Sequence, residues 1–205
     1  MRQARCLAAA GAREVLAVVN SETAAAIARA PLILPDSLKL VVRDTANSME
    51  TLFEIGSRMP AGWFLATTVD AVLPIAELAG FAVLAQERIA RVAQRGPGAV
   101  LGVVRWRGDE RPLFVDVSRT GVIEQVGAET GEMVTAGIYF FSTRIFSYQA
   151  RARQERLGAL RQFLAGLLRW GVSLEAIEVQ NVIDIDEAAD LKAAERMLQR
   201  FETGR

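Results

Sequence analysis

The sequence predicts an α/β fold: a single-domain three-layer sandwich in which helices cover both faces of a mostly parallel mixed sheet. Three observations carry that reading. Apolar runs of strand length alternate with helical patterns through the first half of the chain. Those runs, "VLAVV", "LKLVV" and "WFLAT", are too continuously apolar to leave one face in water, as expected of strands covered on both sides. At 205 residues, 51% of them hydrophobic and 23% charged, the chain is long enough for one sizeable core. No repeat, low-complexity tract or linker divides it, so residues 1–205 are read as one domain.

The elements follow in order. "MRQARCLAAAG" has helical spacing and stops at Gly11, a residue that suits a helix C-cap, and "REVLAVVN" is the first strand. Ser21 is the expected N-cap of "ETAAAIARA", and "LKLVVRD" is the second strand. Ser48 is the expected cap of "METLFEIGSRM", after which "WFLATTVD" is a strand ending at Asp70. A helix over 74–94 is broken by "RGPG". Three short strands come next, "AVLGVVRW", "PLFVDVS" and "GVIEQVG", the last two joined by a tight turn at "RTG". "TAGIYFFS" reads as a buried strand, and 143–170 as helical, ending at Gly171. A strand from 173 leads into "VIDIDEAADLKAAERML" and the last helix.

Composition then narrows the chemistry. The 24 basic and 24 acidic residues cancel, so no global field points to nucleic acid or to an anionic membrane. The absence of His excludes His triads, His metal ligands and imidazole proton shuttles. A single cysteine, Cys6, excludes an internal disulfide and reads as a core thiol. No run approaches the roughly 18 apolar residues of a membrane span, and no signal-peptide pattern opens the chain, so the expectation is a cytoplasmic protein. Tyr139, Phe140 and Phe141 alternate faces on a strand and read as packing. Arg151, Arg153, Arg156, Arg161 and Arg169 read mainly as a solvated helical face, and Trp63, Trp106 and Trp170 as packing at element edges.

What remains is carboxylate chemistry. Asp70 ends one strand, while Asp184 and Asp186 end another and share a face by strand alternation. Asp190 falls in the first turn of the last helix. Two readings stay open here. Carboxylates favour a helix N-terminus, where free N–H groups and the dipole attract negative charge. Alternatively, carboxylates beyond the carboxyl ends of neighbouring strands hold a hard cation such as Mg²⁺, which needs only one or two of them.

The succession "FLATTVDAV", "ERPLFVDVSRTGVIEQVG", "TAGIYFF" and "DIDEAADLKAAERML" resembles the nucleotidyltransferases of the GT-A-like fold, a nucleotide-diphospho-sugar transferase-like sandwich. The resemblance covers residue 5 to the end. It implies transfer of a nucleoside monophosphate from a nucleoside triphosphate to a sugar phosphate or similar phosphorylated acceptor, with release of pyrophosphate. It implies Mg²⁺ (or Mn²⁺), with Asp70 and Asp186 as ligands and Asp184 as the adjacent alternative. Asn47 and Ser48 in "DTANSMETL" are implied at the nucleotide, and Gly137 and Arg111 at the acceptor. The partners are then a nucleoside triphosphate and a phosphorylated small molecule, with no nucleic acid and no membrane.

Two departures qualify this. In "DEAADL", Glu187-Ala188 stand where the family has Thr-Pro, which removes an N-cap and an N1 proline and leaves Asp186 to be recruited as the cap. The family also opens with a strand and a Gly-rich loop whose N–H groups cradle the triphosphate. Gly11 and Arg13 imitate that loop, but the helix-like residues before them fit a helix–Gly–strand step instead. The expectation is a domain incomplete at its N-terminus, with an open slot beside neighbouring strands whose exposed edge favours self-association. The rival reading is a non-catalytic nucleotide-binding or regulatory module that lacks the phosphate loop.

Overall fold

A computed structural model describes residues 2–93, 98–108 and 112–202. Helix α1 (Arg2–Ala9) ends as expected at Gly11, whose φ of +97° lets Ala12 donate back to the Leu7 carbonyl. Strands β1 (Val15–Val19) and β2 (Leu38–Val42) pair in parallel, Val15 opposite Leu38, with α2 (Ser21–Arg29) as the crossover. Then come α3 (Ser48–Gly56), β3 (Trp63–Thr67), β4 (Ala71–Val72) and α4 (Ile75–Ala93). β5 (Gly98–Arg105) precedes the hairpin of β6 (Phe114–Val117) and β7 (Ile123–Ala128), and β8 (Met133–Ser142) follows. A 3-10 turn (Thr143–Tyr148), α5 (Gln149–Gln154), α6 (Leu160–Arg169), β9 (Ser173–Glu178), β10 (Ile183–Asp184) and α7 (Ala188–Glu202) complete the order.

β8 is the centre of the main sheet. It takes β5 along one edge and both β3 and β6 along the other, and β9 lies parallel beyond β5. β3, β5, β6 and β9 therefore run one way and β7 and β8 the other, the mixed sheet expected. Neighbours on β8 face opposite sides. Tyr139 and Phe141 join a core with Phe53 of α3 and Phe163 of α6, whereas Phe140 joins one with Leu7 of α1 and Phe81 of α4. Two helical layers thus sandwich the sheet. Cys6 is buried in the second core, where desolvation pushes its thiol up, as befits a packing residue. Among the described residues no helix is long and apolar enough to cross a membrane.

Two capping expectations shift by one residue. Asn20 and Asn47, not Ser21 and Ser48, are the N-caps, accepting from Thr23 N–H at 2.7 Å and Glu50 N–H at 3.0 Å. Both asparagines have extended backbones, which leaves each serine as the first helical residue. The helical stretch 143–170 is also broken. Arg156 turns left-handed (φ 54°), Leu157 donates back to Ala152 and packs on the core, and α6 starts afresh. The break expected at "RGPG" lies largely outside the described residues, and Arg111 lies outside them altogether.

The sheet is interrupted between β1 and β3. β1 pairs only with β2 and β3 only with β8, so one edge of each has no strand beside it among the described residues. Only Val15 of β1 and only Phe64 of β3 are buried. Helices join the two pieces instead. α3 packs on β1 while its Met49, Leu52 and Phe53 share a core with Phe64. On the other face α1 packs on β1, and its Ala4, Cys6 and Leu7 share a core with Trp63 and Leu65.

Candidate functional site

The site is built where the chain leaves β3. Thr68 N–H donates to the Gly137 carbonyl at 2.9 Å, tying the loop to β8. Here the β5–β8 register shifts between Leu101 and Val103, and Gly137 takes a φ of +67°. A Cβ on Gly137 would stand 2.5 Å from Thr68 Oγ1 and 2.8 Å from Ala71 Cβ. Glycine is thus what lets the Asp70 loop lie on the sheet. From there Asp70 accepts Ile185 N–H on its carbonyl at 3.1 Å, and β4 pairs antiparallel with β10, Ala71 opposite Asp184. Arg2 and Gln3 of α1 hold the same stretch through the Leu73 and Ala71 carbonyls, at 2.7 and 2.9 Å.

The fold therefore brings the Asp70 loop against the segment carrying Asp184 and Asp186. Asp70 Oδ1 is buried and has no hydrogen-bond partner among the described residues. Nearby, the buried Tyr139 phenol is hydrogen-bonded to Thr135 and pushed up to about 12. Burial is the main cause, the charges of Asp184 and Asp70 add to it, and Arg161 opposes it. Asp186 is exposed and is not among the charges acting on that phenol.

The capping question has a definite answer. The Asp190 carboxylate accepts Glu187 N–H at 2.8 Å and Asp186 N–H at 3.2 Å, the reach-back of a third-position carboxylate to the helix start. Asp186 is thus not recruited as the cap, contrary to expectation, because Asp190 already stands one turn on with an oxygen to spare. Asp70, Asp184 and Asp186 are left with no capping duty at α7.

Asn47 and Ser48 stand at the carboxyl end of β2. The Asn47 side chain is engaged as the α3 cap, and Ser48 Oγ accepts Leu160 N–H at 3.1 Å, joining the first turns of α3 and α6. Arg153 clamps the same turn of α3 through two bonds to Glu50, at 3.0 and 2.7 Å. Those bonds hold the Glu50 carboxyl below its ordinary range. α6 opens at the carboxyl edge of the sheet because it runs back, through Gly171, to the start of β9.

Among the described residues no group of three or more His, Cys, Asp or Glu is placed to hold a metal ion. The carboxylates still fit a hard cation that takes one or two protein oxygens and completes its shell with water and phosphate oxygens. The orphaned Asp70 Oδ1 is the atom that such an ion would satisfy. A cavity of about 230 Å³ lies elsewhere, at the ends of β5 and β9, lined in part by Arg105, Arg107 and Glu178, and contains none of the predicted residues. Sequence reasoning treated Tyr139 only as packing and Arg161 only as a solvated charge. Strand alternation gives the Tyr139 face but not the phenol's neighbours, and only the folded chain brings α6 to this edge.

No protein-family model matches this sequence, and no curated protein matches it. Solved structures do. The inositol-1-phosphate CTP transferase from T. maritima superposes with a TM-score of 0.68 at 16% identity, over 91% of this chain and 76% of that one. A putative glucose-1-phosphate thymidylyltransferase from Bacillus anthracis gives 0.73 at 14%, over 96% and 80%. A CMP:2-keto-3-deoxy-manno-octonic acid synthetase gives 0.66 at 14%, over 96% and 86%. By the succession of its elements and by these likenesses, the chain has the nucleotidyltransferase, nucleotide-diphospho-sugar transferase-like fold.

Proposed function

We propose that this chain is a nucleotidyltransferase that moves a nucleoside monophosphate from a nucleoside triphosphate to a phosphorylated small-molecule acceptor, releasing pyrophosphate. One observation carries the reading: a buried carboxylate oxygen without a partner, Asp70 Oδ1, on a loop bonded to the segment carrying Asp184 and Asp186. Likeness of fold to enzymes named for CTP and thymidylyl transfer points the same way.

In this reading Asp70 and Asp184 are the carboxylates that hold Mg²⁺ or Mn²⁺, with Asp186 next to them. When bound, the ion supplies charge neutralisation along the triphosphate and at the α-phosphorus. The protein's own part is positioning. The first turn of α3, with Asn47 and Ser48, borders the nucleotide, and Gly137 and Arg111 border the acceptor. An acceptor phosphate oxygen forms a bond to the α-phosphorus as the bond to pyrophosphate breaks. That oxygen is already ionised, so no general base is required, which suits a chain without histidine.

A second reading has its own support. The residues before β1 form a helix and its Gly11 cap rather than a phosphate-cradling loop, which favours a module that binds nucleotide without turning it over. The test is pyrophosphate release from each nucleoside triphosphate with a panel of sugar 1-phosphates and Mg²⁺, for the wild type, Asp70→Asn and Asp184→Asn. Turnover that each variant lowers by roughly a hundredfold or more supports the enzyme. Metal-dependent nucleotide binding without turnover, lost in both variants, supports the module. Neither activity in the wild type overturns both.

A further inference from the structure

Arg161 is the second residue of α6, whose first residue, Leu160, donates its N–H to Ser48 Oγ. It therefore stands at the carboxyl edge, beside the first turn of α3. Its neighbours in sequence are neutralised: Arg151 and Arg169 pair with Glu155, and Arg153 pairs with Glu50. Arg161 is exposed and has no ion pair or hydrogen bond among the described residues. Yet its charge and those of Asp70 and Asp184 all act on one phenol, Tyr139. A guanidinium and two carboxylates thus share a neighbourhood without meeting, the arrangement expected where a third, doubly recognised group belongs. The α6 N-cap, Ala159, contributes no side-chain bond, so nothing from the cap competes for the space.

We infer that Arg161 is a substrate-binding residue that contacts phosphoryl oxygens of the bound substrate from the α6 side, opposite the carboxylates. The inference rests on the reading of Asp70 and Asp184 given above. The chemistry is a fork of N–H donors matched to phosphoryl oxygens, supplying fixed positive charge that the helix and cap preceding β1 do not. The phosphoryl group belongs to either the triphosphate or the acceptor, and separate probes tell which.

The experiment is equilibrium binding with Mg²⁺ of each nucleoside triphosphate, of pyrophosphate and of glucose 1-phosphate, to the wild type, Arg161→Gln and Arg161→Lys. Melting temperatures are recorded alongside. Arg161→Gln is expected to melt with the wild type, because Arg161 makes no bond within the protein, and to bind a phosphorylated probe roughly ten- to a hundredfold more weakly. Arg161→Lys is expected to fall between, keeping charge without the fork. Weakening confined to nucleotide and pyrophosphate assigns Arg161 to the triphosphate, and weakening confined to the sugar phosphate assigns it to the acceptor. If the wild type binds and Arg161→Gln binds equally well, the inference fails while the site reading stands. If the wild type binds none of the probes, or Asp70→Asn binds them unchanged, the site reading fails and takes this assignment with it.

Discussion

The carbonyl of Asp70 accepts the backbone N–H of Ile185 at 3.1 Å, so the end of one strand is fastened to the residue between Asp184 and Asp186. This bond sets the register of the carboxylates more directly than any side-chain contact. A proline at 185 has no N–H to give. Ile185→Pro is expected to cost about 1–3 kcal/mol in urea denaturation and to abolish metal-dependent nucleotide binding. Ile185→Val, which keeps the bond, is expected to leave binding unchanged.

Asp190 and Asp186 should separate capping from ligation. Asp190→Ala removes the acceptor for the Glu187 and Asp186 N–H groups. It should cost about 1 kcal/mol of stability with nucleotide affinity retained. Asp186→Ala removes no hydrogen bond made by its side chain among the described residues, and should leave the denaturation midpoint unchanged. A lowered midpoint for Asp186→Ala, with none for Asp190→Ala, would reverse the assignment.

Gly137 tests the link between sheet and loop. Gly137→Ala sets a Cβ 2.5 Å from Thr68 Oγ1 in a left-handed backbone. The expected cost is about 1–3 kcal/mol, with loss of Mg²⁺-dependent binding as the Asp70 loop is pushed away. Gly11→Ala is the control: it has the same kind of φ but open space around it, so it should lose stability without losing binding.

Acid should loosen the α3–α5 clamp. Glu50 is held below its ordinary range chiefly by the hydrogen bonds from Arg153. A depressed carboxyl contributes stability that is present above its unfolded pKa and lost as pH falls through the folded one. Glu50→Gln should therefore be less stable than the wild type at neutral pH, and the gap should close as pH drops below about 4.5. A gap that is constant with pH would mean the pair contributes nothing.

The sequence made the layers and most elements legible because they rest on local signals: the Gly11 stop, the "RTG" turn, and the alternation that sends Tyr139 and Phe140 to opposite faces. It misplaced both caps by one residue because Asn20-Ser21 and Asn47-Ser48 each offer two good caps in a row, and only backbone conformation chooses. The Arg156 break was hidden because continuous helical spacing runs through it, while the fold needs Leu157 on the core. At the site, Asp70, Asp184 and Asp186 stood out as strand-end carboxylates. Asp190 as the cap, and Arg161 as a neighbour of Tyr139, depend on contacts between segments far apart in the chain and leave no local trace.

The interruption between β1 and β3 sets where the backbone yields first. Amide protons in β5 and β8 are locked by ladders on both sides of their strands, whereas β1 and β3 have a ladder on one side only. Exchange with deuterium should therefore divide the molecule along that line, with Val15–Val19 and Leu38–Val42 labelling through small local openings and Leu101–Val103 only through global unfolding. Asp70 sits on the slow side of the divide and Asn47 on the fast side. The two halves of the proposed site are thus carried by parts of unequal stability, and a ligand that touches both should slow the labelling of β1 and β2 more than that of β5 and β8.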